Sequence, residues 1–283
     1  MTRYHRIICP ISCHFPAATL VHKKISRPFR PIKRSWDRFR EVLPFSLSPS
    51  AMHRDDFVLV SGSDSSHFNS LCQFLESATQ HEPRSRLVVF DLGLTDEECR
   101  HLSKSFPRID IRHFDFSKYP EYFNIQVAAG EYAWKPVILS DMMNEFQTRV
   151  CWMDAGNVIT KPLRWMRKFI NKIGIYTPHS SGTIGDWTHP KTLNYMQASE
   201  ALLDKKNVTG GCVAIDYRHA HARAIVEQWK RCALIKECIA PEGSNRHNHR
   251  QDQAVLSILA HQMGLASAMP IRRYGFLTHQ DID

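Results

Sequence analysis

The sequence predicts an α/β domain, a mixed but mostly parallel, Rossmann-like sheet with helices on both faces. Three observations carry this. Residues 57–114 alternate strand, helix, strand, helix, strand, and crossovers of that kind make a parallel sheet with right-handed connections. The stretch Arg149-Val150-Cys151-Trp152-Met153-Asp154 is apolar on both faces, which suits a central strand of a covered sheet. That strand ends on a carboxylate followed by small Ala155 and Gly156, at the edge where open α/β sheets bind ligands. Asp154 there holds a metal ion or a sugar hydroxyl, or else caps a turn or the helix near Pro162. Gly156 lets a ligand approach the backbone closely.

Residues 1–54 stand apart from the domain expected over 55–283. They hold eleven Lys/Arg against two acids, while the remainder balances 26 against 26, so the whole net charge of +9 sits in this segment. Lacking periodicity and interrupted by Pro28, Pro31 and Pro44, it reads as disordered. Residues 34–43 have the pattern of a short amphipathic helix that lies on a membrane or packs on the body. Peripheral contact with anionic lipid, or a leader role with weak transit-peptide character, is the favoured use of this arm. Met52 offers a second start. A charge-balanced body argues against a nucleic-acid surface. With no run of about 18 apolar residues, no transmembrane helix is expected. Eight cysteines without a C-x-x-C pair read as reduced core thiols in a reducing, cytoplasmic setting. The sequon Asn207-Val208-Thr209 abuts a strand and reads as chance.

Phe57–Val60 is the first strand, and Ser61-Gly62-Ser63 reads as a turn at its carboxyl end where a nucleotide can rest. One glycine does not make a dinucleotide fingerprint. Phe68, Leu71, Leu75 and Ala78 mark one buried helix face. Leu87–Asp91 is the second strand, Thr95-Asp96-Glu97-Glu98 a capping box, and Ile109–Phe114 the third strand. After a loop over 115–131, a helix spans about Tyr132 to Phe146, with Pro136 tolerated in its first turn. Lys135 shares that turn, where free N–H groups and the helix dipole favour an anion. The helix leads into the Asp154 strand, so Lys135 reads as a diphosphate ligand, the alternative being a solvated lysine.

Further elements follow: a helix over 162–170, a strand over 174–176, a flexible loop over Ser180–Trp187 and a helix over 190–203. Gly210 and Gly211 precede an apolar strand, making room for a bulky ligand or forming a bulge. A helix over 220–238 reads as core. The polar loop from Glu242 runs into a helix that begins Gln251-Asp252-Gln253. His247 and His249 alone make a weak metal pair, and His279 near the end reaches a metal or is an unremarkable terminal residue.

The Tyr132-Ala133-Trp134-Lys135-Pro136 helix start, the Trp152-x-Asp154-Ala155-Gly156 strand end, the Gly-Gly strand and the Gln251-Asp252-Gln253 helix start together resemble the GT-A glycosyltransferases. At a distance they are similar to the glycogenin-like retaining enzymes. The resemblance covers residues 57–283. It implies a nucleotide-sugar donor and a carbohydrate, lipid-linked or protein acceptor. It implies Asp154 and Asp252 as catalytic groups, and Ser61, Gly62, Lys135, Asp154, Gly210, Gly211 and Gln253 around the donor. It implies a divalent cation, Mn²⁺ or Mg²⁺, on Asp154 with His279 as a further ligand. Gly156 replaces the second carboxylate of the family's Asp-x-Asp and so puts that cation in question. Glycosyl transfer suits these residue types, because a cation or Lys135 neutralises the departing diphosphate. A carboxylate such as Asp252 then stabilises the sugar cation or accepts a proton. The alternatives are a non-catalytic sugar-nucleotide binder, supported by the lone Asp154, and a Rossmann-type methyltransferase, supported by the β-α-β-α-β start.

Overall fold

A computed structural model describes residues 57–264 and 274–283. The basic segment and the amphipathic stretch 34–43 lie outside the described residues. In chain order the strands are β1 (Phe57–Ser63), β2 (Arg86–Asp91), β3 (Ile109–His113), β4 (Arg149–Met153), β5 (Val158–Ile159), β6 (Ile175–Tyr176), β7 (His179–Thr183), β8 (Lys206–Val208), β9 (Cys212–Asp216) and β10 (Phe276–Leu277). The helices are α1 (Phe68–His81), α2 (Asp96–Ser105), α3 (Trp134–Phe146), α4 (Arg164–Ile173), α5 (Ile184–Trp187), α6 (Pro190–Tyr195), α7 (Ala220–Ala233), α8 (Lys236–Ile239) and α9 (Gln251–Gln262).

Six strands form one sheet in the order β3-β2-β1-β4-β9-β6. β1 to β4 run parallel, and β9 runs antiparallel to both β4 and β6. The chain winds outward through β2 and β3, then returns to the other side of β1 as β4. That reversal makes the carboxyl ends of β1 and β4 a topological switch point, the usual ligand position in such sheets.

Alternation along each strand feeds two cores. Val58, Val60, Val150, Trp152 and Val213 pack on one face with Ile138 of α3, Trp229 of α7 and Leu256 of α9. Leu59, Val89, Cys151, Met153 and Ala214 pack on the other with Leu71 and Leu75 of α1 and Phe169 of α4. The two-sided apolarity of β4 thus has the cause the sequence suggested. Each Val, Leu, Ile, Phe or Met among them, fully buried, contributes about 1.5–3 kcal/mol. The Thr95–Glu98 capping box forms in full at the start of α2.

Several elements differ from the sequence reading. Ser61-Gly62-Ser63 is not a turn, since β1 continues through it, pairing with Val89, Phe90 and Asp91 of β2. Ladder hydrogen bonds outweigh the turn preference of Ser and Gly. Residues 180–187 are not a loose loop but β7 running into α5, fastened by a Thr183–Asp186 capping box. The helix expected over 190–203 stops at Tyr195, where Gln197 turns left-handed with φ of 50°.

The helix over 220–238 breaks between α7 and α8, and Cys232 and Cys238 form a disulfide across the break. In an unbroken helix residues six apart rise about 9 Å, too far for the 5.2 Å Cα–Cα separation found here. The reduced state expected of these two thiols is therefore corrected, while Cys72, Cys99, Cys151 and Cys212 are free. Asn207 is fully buried and donates to the Thr183 carbonyl, which agrees with reading its sequon as chance.

Candidate functional site

Three charged groups meet at the carboxyl edge of β4. Asp154 follows the strand directly, and its backbone N–H donates to the Gly211 carbonyl at 3.0 Å. Lys135, in the first turn of α3, places Nζ 2.9 Å from Asp154 Oδ1 and 3.5 Å from Asp252 Oδ2. Asp252 stands in the first turn of α9, and its carbonyl accepts the Trp229 indole N–H at 2.8 Å. The Trp152 indole N–H donates to Asp154 Oδ1 at 2.6 Å. The Lys135 and Asp252 side chains are 4% and 7% exposed, whereas that of Asp154 is 42% exposed. The lysine is therefore buried, and Asp154 is the open face of the cluster.

Electrostatics follow from this burial. Desolvation disfavours the Lys135 charge, but the Asp154 and Asp252 carboxylates overcome it and raise its pKa above the ordinary lysine value. Burial raises the Asp252 pKa; Lys135 opposes that shift and Asp154 adds to it. The rings of Tyr132, Trp134 and Trp152 lie 5.4, 5.6 and 5.7 Å from the ammonium, a cation–π wall that supports the charge.

Glycines make this proximity sterically feasible. A Cβ at Gly210 would stand 2.5 Å from Asp252 Oδ2, and one at Gly211 would stand 2.9 Å from Asp154 Oδ2. The bulge-or-room question at these positions resolves as room, occupied by the protein's own carboxylates. Gly156 behaves alike: its Cβ would meet Asp281 Oδ1 at 2.2 Å. The space beside Gly156 expected to admit a ligand is thus filled by Asp281. Gly62 seats the Trp152 ring, its absent Cβ falling 3.2 Å from that ring.

Lys135, Asp154, Asp252, Gly210 and Gly211, drawn from four separate stretches of sequence, thus lie together. Gln253 adjoins them as the next residue of α9, where its carbonyl accepts from Ser257 Oγ at 2.8 Å. Ser61 is fully buried, with its Oγ unpaired, and His279 is exposed. No hydrogen bond or ion pair among the described residues joins either to the charged trio. Among the described residues no group of three or more His, Cys, Asp or Glu is placed to hold a metal ion. A cation here would rest on fewer protein ligands.

Sequence reasoning missed four features. Tyr132 closes five residues, Ala128 to Tyr132, that all hold positive φ between 49° and 60°. Only Gly130 signals such a turn, and non-glycine residues there cost of order 1–3 kcal/mol each. Glu131 Oε2 accepts from Gln251 Nε2 at 3.1 Å, tying this strained turn to the residue before Asp252. The Trp152–Asp154 bond and the position of Asp281 were also missed.

A family model described as "Protein of unknown function (DUF1647)" matches residues 40–140, which takes in Lys135 and stops before Asp154. No curated protein matches the sequence. Among solved structures the chain is similar to the galactosyltransferase LgtC in complex with donor and acceptor sugar analogs, at 12% identity and a TM-score of 0.48, covering 80% of this chain and 84% of that one. It is similar to mouse xyloside xylosyltransferase 1, apo form, at 8% identity and a TM-score of 0.47, covering 74% and 83%. It is also similar to the bifunctional glycosyltransferase WbbM, apo, at 12% identity and a TM-score of 0.47, covering 75% of this chain and 38% of WbbM. The α/β class itself, a mixed and mostly parallel sheet covered on both faces, stands on the strand pairing described above.

Proposed function

We propose that this chain is a GT-A glycosyltransferase that moves a sugar from a nucleotide-sugar donor to a hydroxyl of a carbohydrate, lipid-linked or protein acceptor. The observation that carries the reading is a buried lysine held between two carboxylates at the carboxyl edge of β4. In transfer, the bond between the anomeric carbon and the diphosphate breaks, and the electron pair leaves with the diphosphate. The acceptor oxygen bonds that carbon, and its proton passes to a base. Lys135 stays protonated through the neutral range, since its neighbours raise its pKa, and it offsets the leaving negative charge. Asp252, whose burial raises its pKa, faces the developing sugar cation or takes the proton. Gly210 and Gly211 let the Asp252 and Asp154 carboxylates lie against the backbone beside the sugar, and Gln253 follows Asp252 in α9. A divalent cation, when bound at Asp154, would add Lewis-acid stabilisation of the diphosphate.

Retention at the anomeric carbon, implied by the resemblance, belongs to this proposal and is read from the product's configuration. No helix of the described residues is long and apolar enough to cross a membrane. The Cys232–Cys238 disulfide favours an oxidising compartment over the cytoplasm. A second reading, a non-catalytic sugar-nucleotide binder, draws on the glycine at position 156.

One experiment separates these readings. UDP-, GDP- and CMP-sugars, and S-adenosylmethionine, are screened for protection against heating with and without Mn²⁺. Turnover of the protecting donor is then compared in wild type and Asp154→Asn. The proposal expects wild-type turnover and a loss of about 10²-fold or more in the variant, with the melting temperature retained. Protection without turnover in the wild type selects the binder. Protection by S-adenosylmethionine alone selects the methyltransferase. Undiminished turnover in Asp154→Asn removes the site.

A further inference from the structure

We infer that the cavity between α6 and α8 is a carbohydrate-binding subsite that takes several units of a neutral oligosaccharide. Its use as the seat of the acceptor chain rests on the glycosyl-transfer reading; the binding itself does not.

The cavity measures about 510 Å³, inside the range of roughly 300–1,000 Å³ common for ligand sites. Lys191, Asn194 and Tyr195 line it from α6, Lys236 and Glu237 from α8, and Glu242 from the loop beyond. Residues three and four apart share one face of a helix. Lys191, Asn194 and Tyr195 therefore turn outward together, while Thr192 is buried. In α8, Cys238 and Ile239 are buried, and Lys236 and Glu237 are exposed.

Buried polar groups hold the two walls in place. Thr192 Oγ1–H donates to the Cys238 carbonyl at 2.9 Å. His249 links the His189 amide, at the start of α6, to the Ile239 carbonyl, at the end of α8. Thr192 and His249 are both fully buried. The Cys232–Cys238 disulfide ties α8 to α7. The cavity is thus preformed, which spares a ligand the cost of ordering it.

The lining selects the ligand. Tyr195 is 47% exposed, and an aromatic face left in water at a cavity wall suits the C–H face of a pyranose ring. No side-chain hydrogen bond or ion pair among the described residues engages Asn194, Tyr195 or Lys236. An amide, a phenol and an ammonium are therefore available to sugar hydroxyls. Lys191 is committed to Glu242, its Nζ 3.1 Å from the carbonyl and 3.2 Å from Oε2. Two bases and two acids balance in this lining, so it carries no excess charge to draw a phosphate or an acidic glycan.

Position links the cavity to the charged trio. Lys236 acts electrostatically on the Glu131 carboxylate, and Glu131 Oε2 accepts from Gln251, the residue before Asp252. A chain of sugars in the cavity has that polar path toward Asp252.

Calorimetric titration of the full chain tests this. The probes are neutral hexasaccharides of glucose, mannose, galactose, xylose or N-acetylglucosamine, their monosaccharides, and an oligogalacturonate. At least one neutral hexasaccharide is expected to bind, with its monosaccharide about tenfold or more weaker. Tyr195→Ala weakens that hexasaccharide about tenfold, with melting temperature and nucleotide-sugar protection unchanged, and Tyr195→Trp retains the affinity. Where turnover is measured, Tyr195→Ala raises KM for the hexasaccharide acceptor and leaves kcat unchanged. Absence of neutral hexasaccharide binding overturns the inference, as does equal affinity in Tyr195→Ala. Binding confined to the oligogalacturonate and lost in high salt overturns it too. Hexasaccharide binding that Tyr195→Ala weakens, in a chain that turns over no donor, keeps the carbohydrate site and removes the transferase reading. Donor turnover with hexasaccharide affinity unaltered in Tyr195→Ala does the reverse.

Discussion

Replacing Lys135 by methionine removes a charge while keeping chain length and much of the volume. Its ammonium lies 3.5 Å from Asp252 Oδ2 in a setting where both side chains are more than nine-tenths buried. Methionine leaves the Asp252 carboxylate beside Asp154 without a counter-charge. Removing one partner of a buried pair costs about 3–5 kcal/mol. The Asp154 bond adds little to that figure, because its carboxylate is partly solvated. Protonation offers Asp252 an escape, and this gives the loss a pH signature. Burial already raises the folded pKa of Asp252, and Lys135 is what holds it down. Without the lysine it rises further. A carboxyl whose folded pKa exceeds its unfolded value contributes stability below the unfolded value, about 4, and loses it as pH rises through the folded one. The deficit of Lys135→Met is therefore small near about pH 4.5 and full near about pH 8. Urea unfolding followed by tryptophan fluorescence, on both proteins at both pH values, measures it. A deficit that does not change with pH, or one below about 1 kcal/mol at the higher pH, refutes the buried carboxylate–lysine–carboxylate arrangement.

Gly211→Ala places a methyl group 2.9 Å from Asp154 Oδ2 and 3.3 Å from Thr209 Oγ1. It is expected to cost about 1–3 kcal/mol and to weaken donor protection, read in one thermal-shift series. Cys232→Ser/Cys238→Ser opens a short loop between α7 and α8 and is expected to lower stability by about 2 kcal/mol. Reductant then destabilises the wild type in urea but not the variant. His249 is buried and neutral: its Nε2–H donates to the Ile239 carbonyl and its Nδ1 accepts from the His189 amide. Burial lowers its pKa to about 4, so its contribution is present above the ordinary histidine value and is lost as pH falls toward about 4. The wild type loses stability over that window, and His249→Asn, less stable throughout, shows a shallower slope in unfolding free energy against pH.

What was legible in the sequence depended on whether the signal was local. Asp154 ends a strand apolar on both faces, and Lys135 and Asp252 sit in first helical turns, so each announced itself within a few residues. Ser61-Gly62-Ser63 misled, since its fate depends on pairing with β2, which local turn preference does not report. The break after Ala233 was hidden because Leu234 and Ile235 continue a helical pattern, and the disulfide that accompanies it joins thiols six apart. The glycines show best why the rest was out of reach. Gly156, Gly210 and Gly211 each read as permission for a ligand to come close. In the fold each faces an acid of this same chain: Asp281, Asp252 and Asp154 respectively. Small residues at a sheet edge record that something approaches the backbone, but the sequence alone does not name what approaches. Here the approaching groups are three carboxylates from three distant segments. Lys135 lies within ion-pair distance of two of them, Asp154 and Asp252, and so joins segments that no local pattern links.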